Sequence, residues 1–360
     1  MPDLAALTGA PRWVVLQLTE KCNLRCSMCY EWGQHGSYHR RAAAAELDYG
    51  VLEKVIVELA PYRPYFGLFG GEPLLYPHVA AVLGLIQRFG CGVDIPTNGL
   101  LLDKHAEMLV ETGPRRLWIS LDGPEAINDR QRGPGVSRRV RDGIAKLYEV
   151  RQSRRREFPK LGVTLIVTPL NYQYVEAFFV ELLTSFHLDH ISIEFQNYAT
   201  CDDYQAYCQV LRQEFESGAA PLAAGVIQDP AVFAAMDYEE LARQISAVKQ
   251  LCEQRQVYFI AYPKTISPAN YRAFFTADWR GMADWKSRCA FPWIYAEINA
   301  RGNVTSCHTF YDLSLGNVYE QGLLEIWRSA AYQRYRRYLR RSLFPICTAC
   351  SRYYSDPGKK

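Results

Sequence analysis

Short apolar runs rich in β-branched and aromatic residues recur along the first 200 residues, with segments of helical periodicity between them. Runs of this kind predict strands, whereas apolar residues spaced three and four apart predict helices. The predicted strands span residues 13–18, 65–69, 91–96, 116–121, 161–167 and 190–195. The predicted helices span residues 49–59, 79–89, 101–112, 136–152 and 174–186. Six strands that alternate with helices predict a parallel sheet with helices outside, which fits a partial (β/α)6 TIM-like barrel of the α/β class.

The pattern becomes less regular after residue 200. Helices are predicted over 204–216 and 238–254, and a short strand over 257–261. Near the C-terminus, Ala300-Arg301-Gly302 separates two apolar runs, which is a hairpin signature, and a basic, tyrosine-rich helix is predicted over 323–341. We therefore expect a lead-in over 1–12, a barrel over 13–262 with a helix-rich end from 200, a linker or lid over 263–288, and a small hairpin-and-helix domain over 289–360.

The composition is that of an ordinary globular protein, with 49% hydrophobic and 22% charged residues. The formal net charge of +3 is too small to predict a nucleic-acid or membrane partner. No apolar run approaches the ~18–20 residues of a membrane span. The first twelve residues also lack the basic and apolar regions of a signal peptide. These features lead us to expect a cytoplasmic protein.

Eleven cysteines are a high number for a reducing compartment, where disulfides rarely persist, and seven of them fall in two groups. The first group is Cys22, Cys26 and Cys29, directly after the first predicted strand. Three thiolates on one loop can bind three irons of a 4Fe–4S cube and leave the fourth iron open for a small molecule. Zinc is the alternative metal, although a closed zinc site needs a fourth ligand, for which His35 and His39 are loosely placed.

Unusual polar and glycine clusters stand at the C-terminal ends of the next predicted strands. They are Gly70-Gly71-Glu72-Pro73, Thr97-Asn98-Gly99 and Ser120-Leu121-Asp122-Gly123. In barrels of parallel strands the site lies at these strand ends. Together with the three-cysteine loop, these motifs resemble the radical S-adenosylmethionine (radical SAM) superfamily, over roughly residues 12 to 200.

The resemblance implies that the open iron chelates S-adenosylmethionine and that an electron from the cluster breaks its S–C5′ bond. The resulting 5′-deoxyadenosyl radical then abstracts a hydrogen atom from the substrate. In such a site the Gly-Gly-Glu-Pro turn holds the methionine amino group, Ser120 and Asp122 bond the ribose or methionine end, Arg132 partners the carboxylate, and 167–170 pack on the adenine. The implied cofactor-binding residues are Gly70, Gly71, Glu72, Pro73, Asn98, Ser120, Asp122, Arg132, Val167 and Leu170.

The second group of cysteines is Cys289, Cys307, Cys347 and Cys350. Twelve residues separate the first of them from Gly302, and four more separate Gly302 from the second. This opening resembles the SPASM and twitch extensions of radical SAM enzymes. The resemblance implies one auxiliary 4Fe–4S cluster on all four thiolates, which leaves no open iron and suits electron transfer. A structural zinc on the same thiolates is the alternative.

Four cysteines lie outside both groups, namely Cys91, Cys201, Cys208 and Cys252. Most isolated cysteines are buried and inert. Cys201, however, follows the sixth predicted strand near the expected mouth of the barrel. It is therefore a candidate hydrogen-atom donor, of the kind that some radical SAM epimerases use.

The sequence thus predicts a radical SAM oxidoreductase or epimerase that acts on a small metabolite such as a sugar or aminocyclitol. The alternative substrate is a ribosomally made peptide, although only about twelve residues precede the first strand and we expect no separate peptide-recognition domain there. An external electron donor such as flavodoxin or ferredoxin is expected. A zinc or iron–sulfur protein without radical chemistry is the remaining alternative, but it would have no need of the strand-end motifs.

Overall fold

One mixed sheet organises the chain in a computed structural model that describes residues 9–350, except 35, 39–42, 218–219, 286–287, 308 and 310–311. Its strands are β1 (Trp13–Thr19), β2 (Tyr65–Gly70), β3 (Val93–Thr97), β4 (Arg116–Ser120), β5 (Lys160–Val167), β6 (His190–Phe195), β7 (Tyr258–Tyr262), β8 (Tyr295–Ile298) and β9 (Val304–Thr305). The helices are α1 (Tyr49–Leu59), α2 (Val79–Arg88), α3 (Leu102–Thr112), α4 (Glu125–Arg132), α5 (Val136–Ser153), α6 (Val175–Ser185), α7 (Cys201–Phe215), α8 (Tyr238–Arg255), α9 (Pro268–Phe275), α10 (Leu323–Arg328) and α11 (Ala330–Arg341).

The strands follow the order β7-β6-β5-β4-β3-β2-β1-β8-β9 across the sheet. Neighbours from β7 to β8 are parallel, and β9 alone runs antiparallel to its neighbour β8. The α/β partial barrel predicted from the six alternating strands is confirmed, and β7 extends it by a seventh parallel strand. None of the helices that the structure describes is long and apolar enough to cross a membrane.

The two faces of the barrel strands differ in burial. In β4, Leu117 and Ile119 are fully buried in the core shared with the helices, whereas Arg116, Trp118 and Ser120 are half-buried. In β6, Ile191, Ile193 and Phe195 are likewise buried, whereas Glu194 on the opposite face is half-buried. The interior of a closed eight-stranded barrel is filled by side chains. In this open barrel the half-buried residues lie on the inner face of the sheet, and we call the side that this face borders the lumen.

The C-terminal segment continues the barrel sheet. Strand β8 pairs with β1 from Trp13–Tyr295 to Leu16–Ile298, and the predicted hairpin of β8 and β9 is confirmed. The single helix predicted over 323–341 is two helices, because Ser329 ends α10 and its side chain caps α11. The carboxylate of Glu58 in α1 also accepts hydrogen bonds from the backbone of Leu323 and Leu324 at the start of α10.

Two stretches differ from the sequence-based expectation for physical reasons. Residues 263–288, expected as a linker or lid, contain α9, whose aromatic side chains pack on Phe195 of β6 with ring centroids 4.7–5.3 Å apart. Helix α7 begins at Cys201, before the predicted start, because Thr200 and Asp203 form a reciprocal capping box. Helix α9 is therefore part of the barrel wall.

Candidate functional site

The three-cysteine loop follows β1 and is compact. The backbone N–H of Cys29 donates to Cys26 O at 3.1 Å, and the N–H of Trp32 lies 3.3 Å from Cys29 Sγ. Burial raises the pKa of the Cys22 thiol to about 12 and that of Cys29 to about 11, and other thiols of the loop add to both rises. The structure therefore brings the three predicted thiols together.

Glu72 connects the Gly-Gly-Glu-Pro turn to the end of β3. Its fully buried carboxylate accepts hydrogen bonds from Leu74 N at 3.0 Å, Thr97 Oγ1 at 2.8 Å and Asn98 N at 2.7 Å. Burial raises the pKa of Glu72 to about 7, and the three hydrogen bonds oppose that rise. This carboxylate, expected to face a ligand ammonium, thus holds two strand ends together.

Asn98 extends this connection to the three-cysteine loop. Its Nδ2 atom donates to Asn23 Oδ1 at 2.7 Å and lies 3.9 Å from Cys22 Sγ. The side chain is 8% exposed, so these contacts are largely shielded from water. The ends of β2 and β3 and the first cysteine therefore form one unit.

The two glycines of the turn are required by the close approach of β1. A Cβ atom on Gly70 would lie 2.2 Å from Thr19 O, and one on Gly71 would lie 2.3 Å from Lys21 O. Gly70 also has a φ of +128°, which side chains disfavour. The sequence pattern predicted a turn whose backbone, free of side chains, could contact a ligand. In the structure this backbone also packs against the start of the three-cysteine loop.

Asp122 and Arg132 bind each other at the end of β4. Arg132 Nε donates to Asp122 Oδ2 at 2.6 Å, and the other carboxylate oxygen accepts from Ile166 N at 2.8 Å. Arg132 Nη1 lies 4.0 Å from Cys26 Sγ. The pair thereby connects the ends of β4 and β5 to the second cysteine, and the ligand-binding roles of both residues stay predictions.

Helix α4 supplies polar groups to the same place, and the sequence pattern did not reveal it. Asn128 Oδ1 accepts from Asp122 N at 3.0 Å, and Gln131 O accepts from Ser27 N of the three-cysteine loop at 2.9 Å. Gln131 Oε1 accepts from Thr168 Oγ1 at 2.7 Å. The buried residues of this helix are polar, so no apolar periodicity marks it; the cue in the sequence is the Asn-Asp-Arg-Gln-Arg run itself.

The remaining predicted residues differ in burial. Ser120 is half-buried on the lumen face, Pro73 is buried and Leu170 is half-buried. Val167 is fully buried in the hydrophobic core on the outer face of the sheet. Cys201 is exposed at the first residue of α7, with Gln205 Nε2 3.4 Å from its sulfur, and no hydrogen bond among the described residues joins it to the three-cysteine loop.

The second cysteine group is also brought together. Burial raises the pKa of Cys347 well above its usual value, and the thiols of Cys307, Cys289 and Cys350 add to that rise. Thr309 Oγ1 and Cys350 Sγ form a hydrogen bond at 3.0 Å. All four thiols predicted as ligands of a second centre therefore lie near one another.

Two protein-family models match the chain. The radical SAM superfamily matches residues 16–181, which contain the three-cysteine loop and the strand-end motifs. SPASM, an iron–sulfur cluster-binding domain, matches residues 289–351, which contain all four cysteines of the second group. The two matches cover the two candidate centres without overlap.

Several named proteins are similar in sequence. The tungsten-containing aldehyde ferredoxin oxidoreductase cofactor-modifying protein of Pyrococcus furiosus is 24% identical over 355 residues, which cover 94% of this chain and 87% of that protein. The AdoMet-dependent heme synthase of Methanosarcina barkeri is 35% identical over 160 residues, 43% of each chain. A probable GTP 3′,8-cyclase of Archaeoglobus fulgidus is 32% identical and aligns with 38% of this chain and 44% of that protein. The last two therefore match over less than half of their own length.

Two solved structures share the fold. Streptococcus suis SuiB bound to S-adenosylmethionine aligns with a TM-score of 0.63 and 16% identity, over 91% of this chain and 68% of SuiB. The structure of anSMEcpe with bound AdoMet aligns with a TM-score of 0.58 and 15% identity, over 96% of this chain and 84% of that one. At this level of identity the likeness concerns the fold alone.

The donor sets fit the cofactors that these two domains imply, namely a 4Fe–4S cluster that works with S-adenosylmethionine and an auxiliary iron–sulfur cluster. Both groups consist of thiols, the soft ligands on which such clusters are held. Within the described ranges, no three cysteine, histidine or acidic side chains form a group that could hold a metal ion. The thiolates of a 4Fe–4S cluster bind different irons, so each has its own position around the cube.

The parallel sheet, the motifs at successive strand ends and the two family matches describe one arrangement. The first candidate centre lies at the C-terminal ends of β1 to β5, and the second lies in the C-terminal segment. The chain belongs to the radical SAM superfamily and carries a C-terminal SPASM domain.

Proposed function

We propose that this protein is an enzyme that cleaves S-adenosylmethionine reductively and abstracts a hydrogen atom from a substrate carbon in the lumen. The reaction we favour is oxidation or epimerisation of a small metabolite such as a sugar or aminocyclitol. The observation that carries the proposal is the joining of the strand ends to the cysteines, through Asn98 beside Cys22 and Arg132 beside Cys26. A protein that only stored electrons would have no need of that connection.

Three cysteines, Cys22, Cys26 and Cys29, would hold the cluster, and the strand-end residues would hold S-adenosylmethionine. When bound, these two groups supply an electron and a 5′-deoxyadenosyl group that takes up the substrate hydrogen. Asn98 and Arg132 place N–H donors near two of the sulfurs, and such donors tune the reduction potential of a cluster. Glu72 accepts a hydrogen bond from Asn98 N, and Asp122 accepts one from Arg132 Nε. Both carboxylates are fully buried, so these two hydrogen bonds are shielded from water.

The second group of thiols, Cys289, Cys307, Cys347 and Cys350, would hold a fully ligated auxiliary cluster. Four thiolates leave no iron open, so its role in this proposal is to pass electrons. Oxidation of a substrate by two electrons needs an acceptor for the second one, which such a cluster provides. We propose that an external donor such as flavodoxin or ferredoxin supplies the electron for S-adenosylmethionine cleavage.

A carboxylate in the lumen supports a substrate that carries an amine. Glu194 is half-buried on the inner face of β6, and its described hydrogen bond comes from Ser192 Oγ at 3.2 Å. No ion pair of Glu194 is found in the described part of the chain, whereas Asp94 in the same barrel is paired with Arg116 at 2.9 Å. A half-buried carboxylate without a counter-charge favours a cationic ligand group.

The names of the similar proteins give further support to a small molecule. They describe a protein that modifies a cofactor, a heme synthase and a GTP cyclase. Maturation of a ribosomally made peptide is the alternative, since the fold is shared with SuiB, which has also been solved bound to the precursor peptide SuiA.

The test is anaerobic reconstitution of the full chain, followed by reduction and addition of S-adenosylmethionine. We expect 5′-deoxyadenosine to form, and to form faster with aminocyclitols or amino sugars than with peptides. A Cys26→Ala variant provides the background, because it lacks one of the three proposed thiolates. Product no higher than in Cys26→Ala would contradict the proposed activity, whereas stimulation by peptides alone would select the peptide alternative.

A further inference from the structure

An arginine of the C-terminal hairpin reaches the three-cysteine loop. Arg301 lies in the turn between β8 and β9, and its Nε and Nη2 atoms donate to the two carboxylate oxygens of Glu20 at 3.0 and 2.9 Å. Glu20 is the second residue before Cys22, and its side chain is 3% exposed, compared with 47% for Arg301. A two-point contact of this kind fixes orientation as well as distance.

The turn that presents Arg301 is itself held in place. Asn299 Oδ1 accepts from the backbone N–H of Arg301 at 3.0 Å, and Asn317 Nδ2 donates to its carbonyl oxygen at 3.1 Å. The next residue, Gly302, has a φ of +79°, and the ring of Tyr319 occupies the space that a Cβ atom would need. The backbone of Arg301 is therefore held at both its N–H and its carbonyl group, which limits where its guanidinium can lie.

Glu20 is in turn connected to the cysteines. Its carbonyl oxygen accepts from Trp32 Nε1 at 2.6 Å, and Trp32 N lies 3.3 Å from Cys29 Sγ. Arg25 stacks on the ring of Trp32 at 4.4 Å and donates to Cys22 O at 2.9 Å. A continuous set of contacts thus runs from the hairpin turn to two of the three cysteines.

We propose that Arg301 is a positioning residue for the three-cysteine loop, so that the hairpin of the SPASM domain sets the geometry in which the loop binds its cluster and S-adenosylmethionine. The inference rests on the proposed function, because it takes this loop as the cluster site. Arg301 acts through Glu20 and Trp32. The C-terminal domain then has a second role, as part of the scaffold of the first centre.

The test compares Arg301→Ala with Arg334→Ala in the full-length, anaerobically reconstituted protein. Arg334 is a matched control, because it is another arginine of the C-terminal segment and pairs at 3.0 Å with an exposed glutamate, Glu216. We expect Arg301→Ala to raise the Kd for S-adenosylmethionine at least about tenfold, as removal of outer contacts does at metal sites. It should also change the EPR spectrum that the reduced protein gives with S-adenosylmethionine, whereas Arg334→Ala should behave as the wild type.

Two further variants separate positioning from folding. Arg301→Lys retains a charge but loses the two-point contact, so its Kd should lie between those of the wild type and Arg301→Ala. Glu20→Gln should resemble Arg301→Ala, and these two variants decide the question if Arg301→Ala does not fold. Wild-type Kd and EPR spectra in the variants would overturn the inference, even with a lowered melting temperature, because a merely structural ion pair changes stability alone. If S-adenosylmethionine did not change the EPR spectrum of the reduced wild-type protein, that result would contradict the proposed function. The inference, which rests on that function, would then be contradicted too.

Discussion

Arg132 and Asp122 form a short ion pair of 2.6 Å whose side chains are 8% and 0% exposed. Removing one partner of a buried pair leaves the other charge without compensation, which costs about 3–5 kcal/mol. We therefore expect Arg132→Ala to lower the free energy of unfolding by about that amount. Urea unfolding, followed by circular dichroism in a fixed cofactor state, measures it.

The control for that prediction is Arg138→Ala. Arg138 pairs with Glu125 at 3.6 Å, and the two side chains are 75% and 54% exposed. Pairs exposed to this degree contribute at most about 1 kcal/mol. Equal losses in Arg132→Ala and Arg138→Ala would show that the buried pair has no special weight.

A methyl group on Gly71 should disturb the start of the three-cysteine loop. Its Cβ atom would lie 2.3 Å from Lys21 O, whereas a Cβ on Gly84 in α2 would meet nothing within 4 Å. We expect Gly71→Ala to reduce the iron bound after reconstitution and to destabilise the fold. Gly84→Ala should instead stabilise the protein, by up to about 1 kcal/mol, because alanine is the better helix former. Normal iron content in Gly71→Ala would mean that the loop adapts to the clash.

The pH dependence of stability should include a contribution from His190 at the start of β6. Burial, assisted by Arg116, lowers the pKa of His190. Asp189, Asp94 and Lys160 face it as well and alter the shift. Because the folded-state pKa lies below the unfolded value near 6.5, the unfolded chain takes up this proton first as the pH falls. The contribution is therefore present above about pH 6.5 and is lost below it.

The variant His190→Phe isolates this contribution. Phenylalanine keeps an aromatic ring between Trp118 and Tyr258, whose centroids lie 5.5 and 5.7 Å from that of His190, and it cannot be protonated. We expect the stability of the wild type relative to His190→Phe to fall between pH 8 and pH 5.5. A difference that stays constant over this range would rule out the titration of His190 as its source.

Removal of one thiol from the C-terminal group should remove a whole cluster. The wild type should bind about eight irons per chain, and Cys307→Ala should bind about four, because a 4Fe–4S cube on four thiolates loses a ligand. Cys91→Ala is the matched control, since Cys91 belongs to neither group and its sulfur lies 3.8 Å from Phe89 O. A loss of iron that is equal in both variants would point to general instability.

Local patterns predicted most of the barrel, because each strand is an apolar run and each outer helix has an apolar face. Helix α4 was missed since its buried residues, Asn128, Gln131 and Arg132, are polar. Their polar groups can be buried because they form hydrogen bonds with Asp122, Ser27 and Thr168. Polar burial of this kind depends on partners elsewhere in the chain and leaves no periodic signal.

Residue types at the strand ends predicted which residues form the site. They did not predict the contacts that join the site to distant parts of the chain. Nothing near Glu20 in the sequence indicates that Arg301 binds it, since 280 residues separate the two. The sequence likewise predicted a separate hairpin, and the pairing of β8 with β1 is decided by sheet topology. Gln17 gives one retrospective cue: a polar side chain in a buried strand needs a partner, and Glu297 on β8 accepts its hydrogen bond.

The position of β8 beside β1 has a consequence for biosynthesis. β1 is made long before β8, so one of its edges stays unpaired until residues 295–298 are made. At 5–20 residues per second this interval is roughly 15 to 60 seconds. During it the nascent barrel has an open strand edge, which is prone to pair with other chains. The loop that Glu20 begins therefore reaches its final form only after Arg301 has been made, so loading of the first cluster would follow synthesis of the hairpin.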